Sequence, residues 1–128
     1  MGKSVILDKS KAFALRIIKL YQYLCEQKHE RVLSRQLLRC GTSIGANAKE
    51  SVFAQSKADF TAKMFIAQKE CAETEYWLEL LYESGFIDKR EFAVVYADCQ
   101  ELMRLIVAST KTLQSQKESN YSLLITNY

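Results

Sequence analysis

In two long segments of the chain, the residues of types that are usually buried recur at alternating spacings of four and three positions. This spacing keeps one apolar stripe along a helix and is typical of helices that pack in a left-handed bundle. The first stripe runs through Phe60, Met64, Ala67, Cys71, Thr74, Leu78 and Leu81, and the second through Phe92, Tyr96, Cys99, Met103, Ile106, Thr110 and Leu113. The chain has no proline and only four glycines, whereas a fold of many short strands needs more turn residues. The sequence therefore predicts an all-α fold.

Four helices are predicted, over about residues 8–27, 33–54, 57–84 and 88–116. Because the links between them are short, consecutive helices must run antiparallel, which gives an antiparallel up-down-up-down four-helix bundle. The bundle forms one domain over residues 1–117. Residues 118–128 form a C-terminal tail without a helical period, which could be a short strand, pack on the bundle, reach a neighbouring molecule or fray.

Capping signals support these boundaries. Ser56 and Asp88 each begin a capping box, at the start of the third and the fourth helix. Gly85 is the expected left-handed residue after the third helix, and Ser34 is a candidate N-cap of the second.

The chain shows no apolar run long enough for a signal peptide or a membrane span. Its four cysteines contain no C-x-x-C pair and fall one to each predicted helix. Free thiols distributed in this way are typical of a reducing compartment. We therefore expect a cytoplasmic protein with no membrane partner.

Residues 1–57 carry eleven Lys/Arg and four Asp/Glu, a net charge of +7, whereas residues 58–128 carry seven and eleven, a net charge of −4. This division indicates either a basic face or two halves that complement each other within the bundle. A basic face on helices 1 and 2 could contact phosphates of RNA or DNA. The candidate contacts are Lys9, Lys11, Arg16, Lys19, Arg31, Arg35 and Arg39.

The second predicted helix has two unusual faces. Gly41 and Gly45 lie one turn apart and would let a neighbouring backbone approach closely. A polar row, formed by Arg39, Ser43, Asn47 and Glu50, lies on another side. This row could be a network that fixes helix register, a nucleic-acid contact, a catalytic site with Glu50 as general base, or a solvated face.

No catalytic residues, cofactor or metal site are predicted, and we expect no enzyme activity. The polar row offers no second carboxylate beside Glu50, and the sequence contains no phosphate-binding loop. The only histidine, His29, lies in a linker four residues after Cys25. That pair alone could share a metal, but no second pair is spaced to complete a site.

Residues 36–50, QLLRCGTSIGANAKE, resemble the hallmark of a bacterial four-helix-bundle family encoded by intervening sequences in large-subunit rRNA genes. The segments SKADF (56–60), IAQKE (66–70) and ETEYWLELL (73–81) resemble the third helix of the same family. The resemblance covers roughly residues 8–115. It implies a ring-like homopentamer and kinship with the accessory protein of diversity-generating retroelements, which binds nucleic acid and a reverse transcriptase.

The sequence therefore favours a non-enzymatic, homo-oligomeric binding or scaffold protein. Its partners would be further copies of itself in a pentamer, RNA or DNA on the basic face of helices 1 and 2, and a reverse transcriptase or another protein. The alternative is a purely structural protein–protein assembly module with no nucleic-acid role.

Overall fold

The computed structural model describes residues 2–126, with side chains for residues 5–111. Four helices and no strand are found in that range: α1 (Gly2–Gln27), α2 (Leu33–Ser51), α3 (Lys57–Glu83) and α4 (Lys89–Thr126). Each helix packs against its neighbours in sequence, and α1 also packs against α4, which closes the bundle. The predicted all-α four-helix fold is confirmed.

Residue numbers rise along one helix as they fall along its neighbour. Between α2 and α3, Arg39 contacts Glu73 while Glu50 contacts Lys63. Between α1 and α2, Ser10 faces Gly45 and Ile17 faces Gly41. Between α3 and α4, Cys71 contacts Cys99 and Glu79 contacts Tyr96. Between α1 and α4, Lys9 pairs with Glu101 and Arg16 pairs with Asp98. Neighbouring helices are therefore antiparallel.

The start of α3 and the turn that follows it obey the predicted capping rules. The Asp59 backbone N–H donates to the Ser56 hydroxyl oxygen at 3.1 Å. At the start of α4, the Glu91 backbone N–H donates to the Asp88 carboxylate at 2.8 Å. Gly85 has a φ of +87°, as expected for a residue that ends a helix in the left-handed region.

The predicted N-cap of α2 is wrong. Ser34 lies inside the helix, where its hydroxyl donates to the Glu30 carbonyl oxygen at 2.7 Å. The cap is the Glu30 carboxylate, which accepts from the backbone N–H groups of Val32, Leu33 and Ser34 at 3.1, 2.9 and 2.7 Å. Burial by itself would raise the pKa of Glu30, but these amides outweigh it and hold the pKa below its ordinary value.

Three helix ends differ from the prediction. Helix α1 begins at Gly2 rather than near residue 8, and α2 ends at Ser51 rather than near residue 54. Helix α4 continues to Thr126 through most of the predicted tail, because no glycine or proline after Gly85 stops it. The question whether residues 118–128 pack on the bundle concerns side chains outside the described residues.

The predicted stripe on α3 is buried from Met64 to Leu81, and the predicted stripe on α4 is buried in part. Phe13, Ile17, Leu20 and Leu24 are all buried on α1. On α4 the buried residues are Val95, Cys99, Leu102, Ile106 and Thr110. Val95 and Leu102 are therefore buried where the prediction placed Tyr96 and Met103, which are only partly buried. Tyr96 lies at the core edge because its hydroxyl donates to the Glu79 carboxylate at 2.7 Å. None of the described helices has an 18-residue stretch apolar enough to span a bilayer.

Candidate functional site

Helix α2 lies between α1 and α3, and its glycine side faces α1. A Cβ atom added at Gly41 would lie 3.0 Å from both Cγ1 and Cγ2 of Ile17. At Gly45 the nearest atom would be the Ser10 hydroxyl oxygen, at 3.2 Å. The two glycines therefore bring α1 and α2 into close contact, and this packing offsets the cost of about 1 kcal/mol that each glycine imposes on a helix.

The polar row of α2 faces α3, and its first member contacts two carboxylates there. Arg39 donates to Glu73 and lies 3.6 Å from Glu70. Glu73 also accepts a hydrogen bond from the Trp77 indole N–H at 2.9 Å. The bonds from Trp77 and Arg39 hold the pKa of Glu73 below its ordinary value despite partial burial, so Glu73 is ionised at neutral pH.

Glu70 is the less well satisfied of the two carboxylates. Its Oε2 atom is buried and accepts no hydrogen bond from the part of the protein that the structure describes. Burial raises the pKa of Glu70, while the Arg39 charge opposes that shift. Arg39 therefore forms ion pairs with two carboxylates of α3 that differ in their surroundings, and it links α2 to α3.

The middle of the polar row bonds to its own helix. The Ser43 hydroxyl donates to the Arg39 carbonyl oxygen at 2.7 Å, and the Asn47 side-chain amide donates to the Ser43 carbonyl oxygen at 2.8 Å. At the far end, Glu50 accepts from Lys63 of α3 at 3.3 Å. The four residues thus lie along one edge of the α2–α3 seam. Within the described range, the hydrogen bonds and ion pairs from this row to α3 come from its two end residues.

The chemistry available around this row is limited. Glu50 is exposed and paired with Lys63, and Cys40 beside the row is buried, which raises its pKa to about 11 and keeps the thiol protonated. No three His, Cys, Asp or Glu side chains within the described range are placed to hold a metal ion. Cys25 and His29 do not share a helical face, because α1 ends at Gln27 and His29 has a φ of +55°.

The seven candidate nucleic-acid contacts fall into two groups. Three are paired with carboxylates of the second half of the chain: Lys9 with Glu101, Arg16 with Asp98, and Arg39 with Glu70 and Glu73. Four are exposed and form no ion pair within residues 5–111: Lys11, Lys19, Arg31 and Arg35. The charge asymmetry along the sequence is thus partly neutralised between helices.

The sequence did not predict the partners of Arg39 or the cap of α2. Glu70, Glu73 and Trp77 recur at spacings of three and four on α3, so they share a face that an antiparallel α2 could meet. That spacing is a usable signal only once the register between α2 and α3 is known. The Glu30 cap had no sequence signal, because it depends on the left-handed backbone of His29.

Comparisons with known proteins identify the family. Residues 3–108 match the family described as 23S rRNA-intervening sequence protein. A crystal structure of a protein of unknown function from the S23 ribosomal protein family of Bacteroides thetaiotaomicron is 46% identical, with a TM-score of 0.86. The match covers 87% of this chain and 99% of that one. A search of curated proteins gave no match. The chain therefore belongs to the 23S rRNA-intervening sequence protein family.

Proposed function

We propose that this protein is a non-enzymatic, homo-oligomeric binding or scaffold protein. The supporting observation is the contrast between its polar and apolar side chains. The polar row of α2 is used in contacts within the chain, whereas large apolar side chains such as Leu15, Phe65 and Tyr76 remain 42–55% exposed on α1 and α3. Exposed apolar side chains that share a helix face are typical of protein–protein contact surfaces.

A ring of five copies is the assembly we propose, on the basis of the resemblance described above. Light scattering coupled to size exclusion tests it, with an expected mass of about 74 kDa for five chains of 14.7 kDa. A mass that stays at one chain at all concentrations would reject self-assembly. A stable mass equal to another multiple of the chain mass would reject the pentamer but would still be that of a homo-oligomeric scaffold.

Nucleic-acid binding is the second proposed function, supported by the four exposed cations without an ion pair among the described residues. Lys11, Lys19, Arg31 and Arg35 are available to neutralise phosphates, and such contacts release counterions and weaken with added salt. Assembly into a ring would multiply these contacts. A protein partner, such as the reverse transcriptase that the resemblance implies, would use the exposed surfaces that self-assembly leaves free.

Titration of labelled RNA and DNA at two salt concentrations tests this second function. The variant Lys11→Ala/Lys19→Ala/Arg35→Ala removes three unpaired cations, and Lys9→Ala/Arg16→Ala removes two paired ones. We expect the triple variant to bind about tenfold or more weakly and to show a salt slope that is smaller by about one unit for each phosphate it no longer neutralises. Absence of binding at low salt would leave the purely structural assembly module as the function. Equal losses per cation in both variants would show that the unpaired cations are not the binding surface.

The proposal of a cytoplasmic location is supported by the state of the cysteines. All four are free, and three of them are buried, which suits a reducing compartment. A substrate conversion abolished by Glu50→Gln, with folding intact, would overturn the non-enzymatic part.

A further inference from the structure

One guanidinium group of α2 lies between two carboxylates of α3. Arg39 donates a hydrogen bond to Glu73, and its Nη1 atom lies 3.6 Å from Oε2 of Glu70. The second distance is too long for a charge-assisted hydrogen bond, which measures about 2.7–2.9 Å. When all three side chains are ionised, the two carboxylates therefore share a single cation, and only Glu73 is hydrogen-bonded to it.

The two carboxylates lie three residues apart on the same helix but have different surroundings. Glu73 also accepts a hydrogen bond from the Trp77 indole N–H at 2.9 Å. The Glu70 side chain is 18% exposed, against 36% for that of Glu73, and its buried Oε2 atom accepts no hydrogen bond from the described residues. A buried carboxylate oxygen without a donor is costly to keep charged. The negative charge of this group is therefore least well stabilised at Glu70.

The other charged groups around Glu70 do not remove this cost. On α3, the Lys69 charge favours the ionised form of Glu70, and the Glu73 charge opposes it. On α2, Arg39 favours the ionised form, and Cys40 is a neutral thiol because burial raises its pKa to about 11. Burial is the strongest of these influences, and together they raise the pKa of Glu70 above its ordinary value.

We propose that Glu70 binds a proton in weakly acidic solution and that this proton leaves Arg39 paired with Glu73 alone. The proton comes from the solvent and binds a carboxylate oxygen, so the group of three side chains loses its excess negative charge. Repulsion between the two carboxylates disappears, and the attraction of Arg39 to Glu70 weakens. The α2–α3 seam is therefore a proton-responsive contact, and it does not depend on the assembly or the nucleic-acid binding proposed above.

Proton uptake at Glu70 should stabilise the fold. The folded-state pKa of Glu70 lies above the ordinary 4.5, so the folded chain keeps this proton in a pH range where the unfolded chain has lost it. Stability therefore falls as the pH rises through the folded-state pKa. Glu73 behaves in the opposite way, because hydrogen bonds from Trp77 and Arg39 lower its pKa. Its contribution is present above about pH 4.5 and is lost as the pH falls through its folded-state pKa.

Neutral replacements of the two carboxylates test the proposal, and each is the matched control of the other. Glu70→Gln removes a poorly stabilised charge, so its urea midpoint at neutral pH should be higher than that of the wild type. Glu73→Gln removes a well-stabilised charge, so its midpoint should be lower. Both differences should shrink as the pH falls and the wild-type carboxylates become protonated. A Glu70→Gln midpoint below that of the wild type at neutral pH would overturn the proposal.

Carbon-13 NMR of the full chain labelled at the glutamate Cδ atoms measures the two protons directly. Signals are assigned by their absence from the Gln variants. We expect a titration midpoint above pH 4.5 for Glu70 and below it for Glu73. In Glu73→Gln the Arg39 guanidinium is free to pair with Glu70, so the Glu70 midpoint should move to lower pH. A wild-type Glu70 midpoint at or below pH 4.5 would overturn proton binding, and an unchanged midpoint in Glu73→Gln would overturn the sharing of Arg39.

Discussion

Helix α1 takes part in two seams that are built in opposite ways. Toward α2, Gly41 and Gly45 remove side chains from the contact, and Ile17 packs at van der Waals distance on the α2 backbone. Toward α4, the helices are separated enough to leave a groove, and the contact includes ion pairs between half-exposed side chains, as in Arg16–Asp98. One helix thus has a dry, tightly fitted neighbour on one side and a loosely fitted one on the other.

The two seams differ in how much a change of sequence should cost. A seam in which α1 side chains pack directly against glycines of α2 has little room to adapt, since interiors are packed to crystal density. A seam bridged by solvated ion pairs gains little free energy from them, so changes to those pairs should cost little. Stability should therefore depend more on the α1–α2 seam than on the ion pairs between α1 and α4.

The largest expected effect is that of Ile17→Ala. Ile17 is fully buried against Gly41, and its truncation leaves a cavity in a seam that cannot collapse, so we expect a loss of about 2–5 kcal/mol in the free energy of unfolding. Urea unfolding at a fixed protein concentration measures it. The control Ile18→Ala removes the neighbouring side chain, which is 37% exposed, and should cost much less. Equal losses would show that the α1–α2 seam has no special role.

Gly41→Ala should destabilise by about 1–2 kcal/mol. The added Cβ would meet two Ile17 atoms at 3.0 Å, and overpacking of this kind costs more than the roughly 1 kcal/mol that alanine gains in a helix. Gly45→Ala is the matched control, since its new Cβ would meet the small Ser10 side chain at 3.2 Å or more and should be close to neutral.

A double-mutant cycle sharpens the Gly41 prediction. In the Ile17→Ala background the two clashing Cγ atoms are gone, so Gly41→Ala should become neutral or stabilising there. Additive losses in the double variant would mean that Gly41 is required for a reason other than its contact with Ile17.

Glu30→Gln should cost about 0.5–2 kcal/mol at neutral pH, because the charged cap of α2 is lost while a weaker amide acceptor remains. The folded-state pKa of Glu30 lies below the ordinary 4.5. The carboxylate therefore contributes its stability above about pH 4.5, and this contribution disappears as the pH falls through the folded-state pKa. Unfolding curves of wild type and variant should converge in acid. A constant difference across the titration would argue against the charged cap.

The smallest expected effect is on the α1–α4 side. Arg16→Gln removes an ion pair whose side chains are 45% and 44% exposed, so the free energy of unfolding should change by less than about 0.5 kcal/mol. Thermal melts at low and high salt measure it, with the unpaired Lys19→Gln as a control. A loss comparable to that of Gly41→Ala would show that the two seams are equally important to stability.

Local signals in the sequence predicted much of this fold. The stripe from Met64 to Leu81 and the capping boxes at Ser56 and Asp88 were placed correctly, because each depends on residues three or four apart on one helix. The end of α4 was not, because residues after 116 lack an apolar period and yet contain nothing that breaks a helix. The polar row on α2 was identified from its spacing alone, but its contacts with Glu70 and Glu73 could not be.

The four helices, most of their apolar faces and the family resemblance could all be predicted from the amino-acid sequence. Those properties follow from periodicities of three and four residues and from short motifs. Only the folded chain shows which cations are paired, why α2 tolerates two glycines, and which apolar side chains of α3 remain exposed. These depend on the register between helices far apart in sequence, and that register is set by how side chains such as Ile17 and Arg39 meet their partners across a seam.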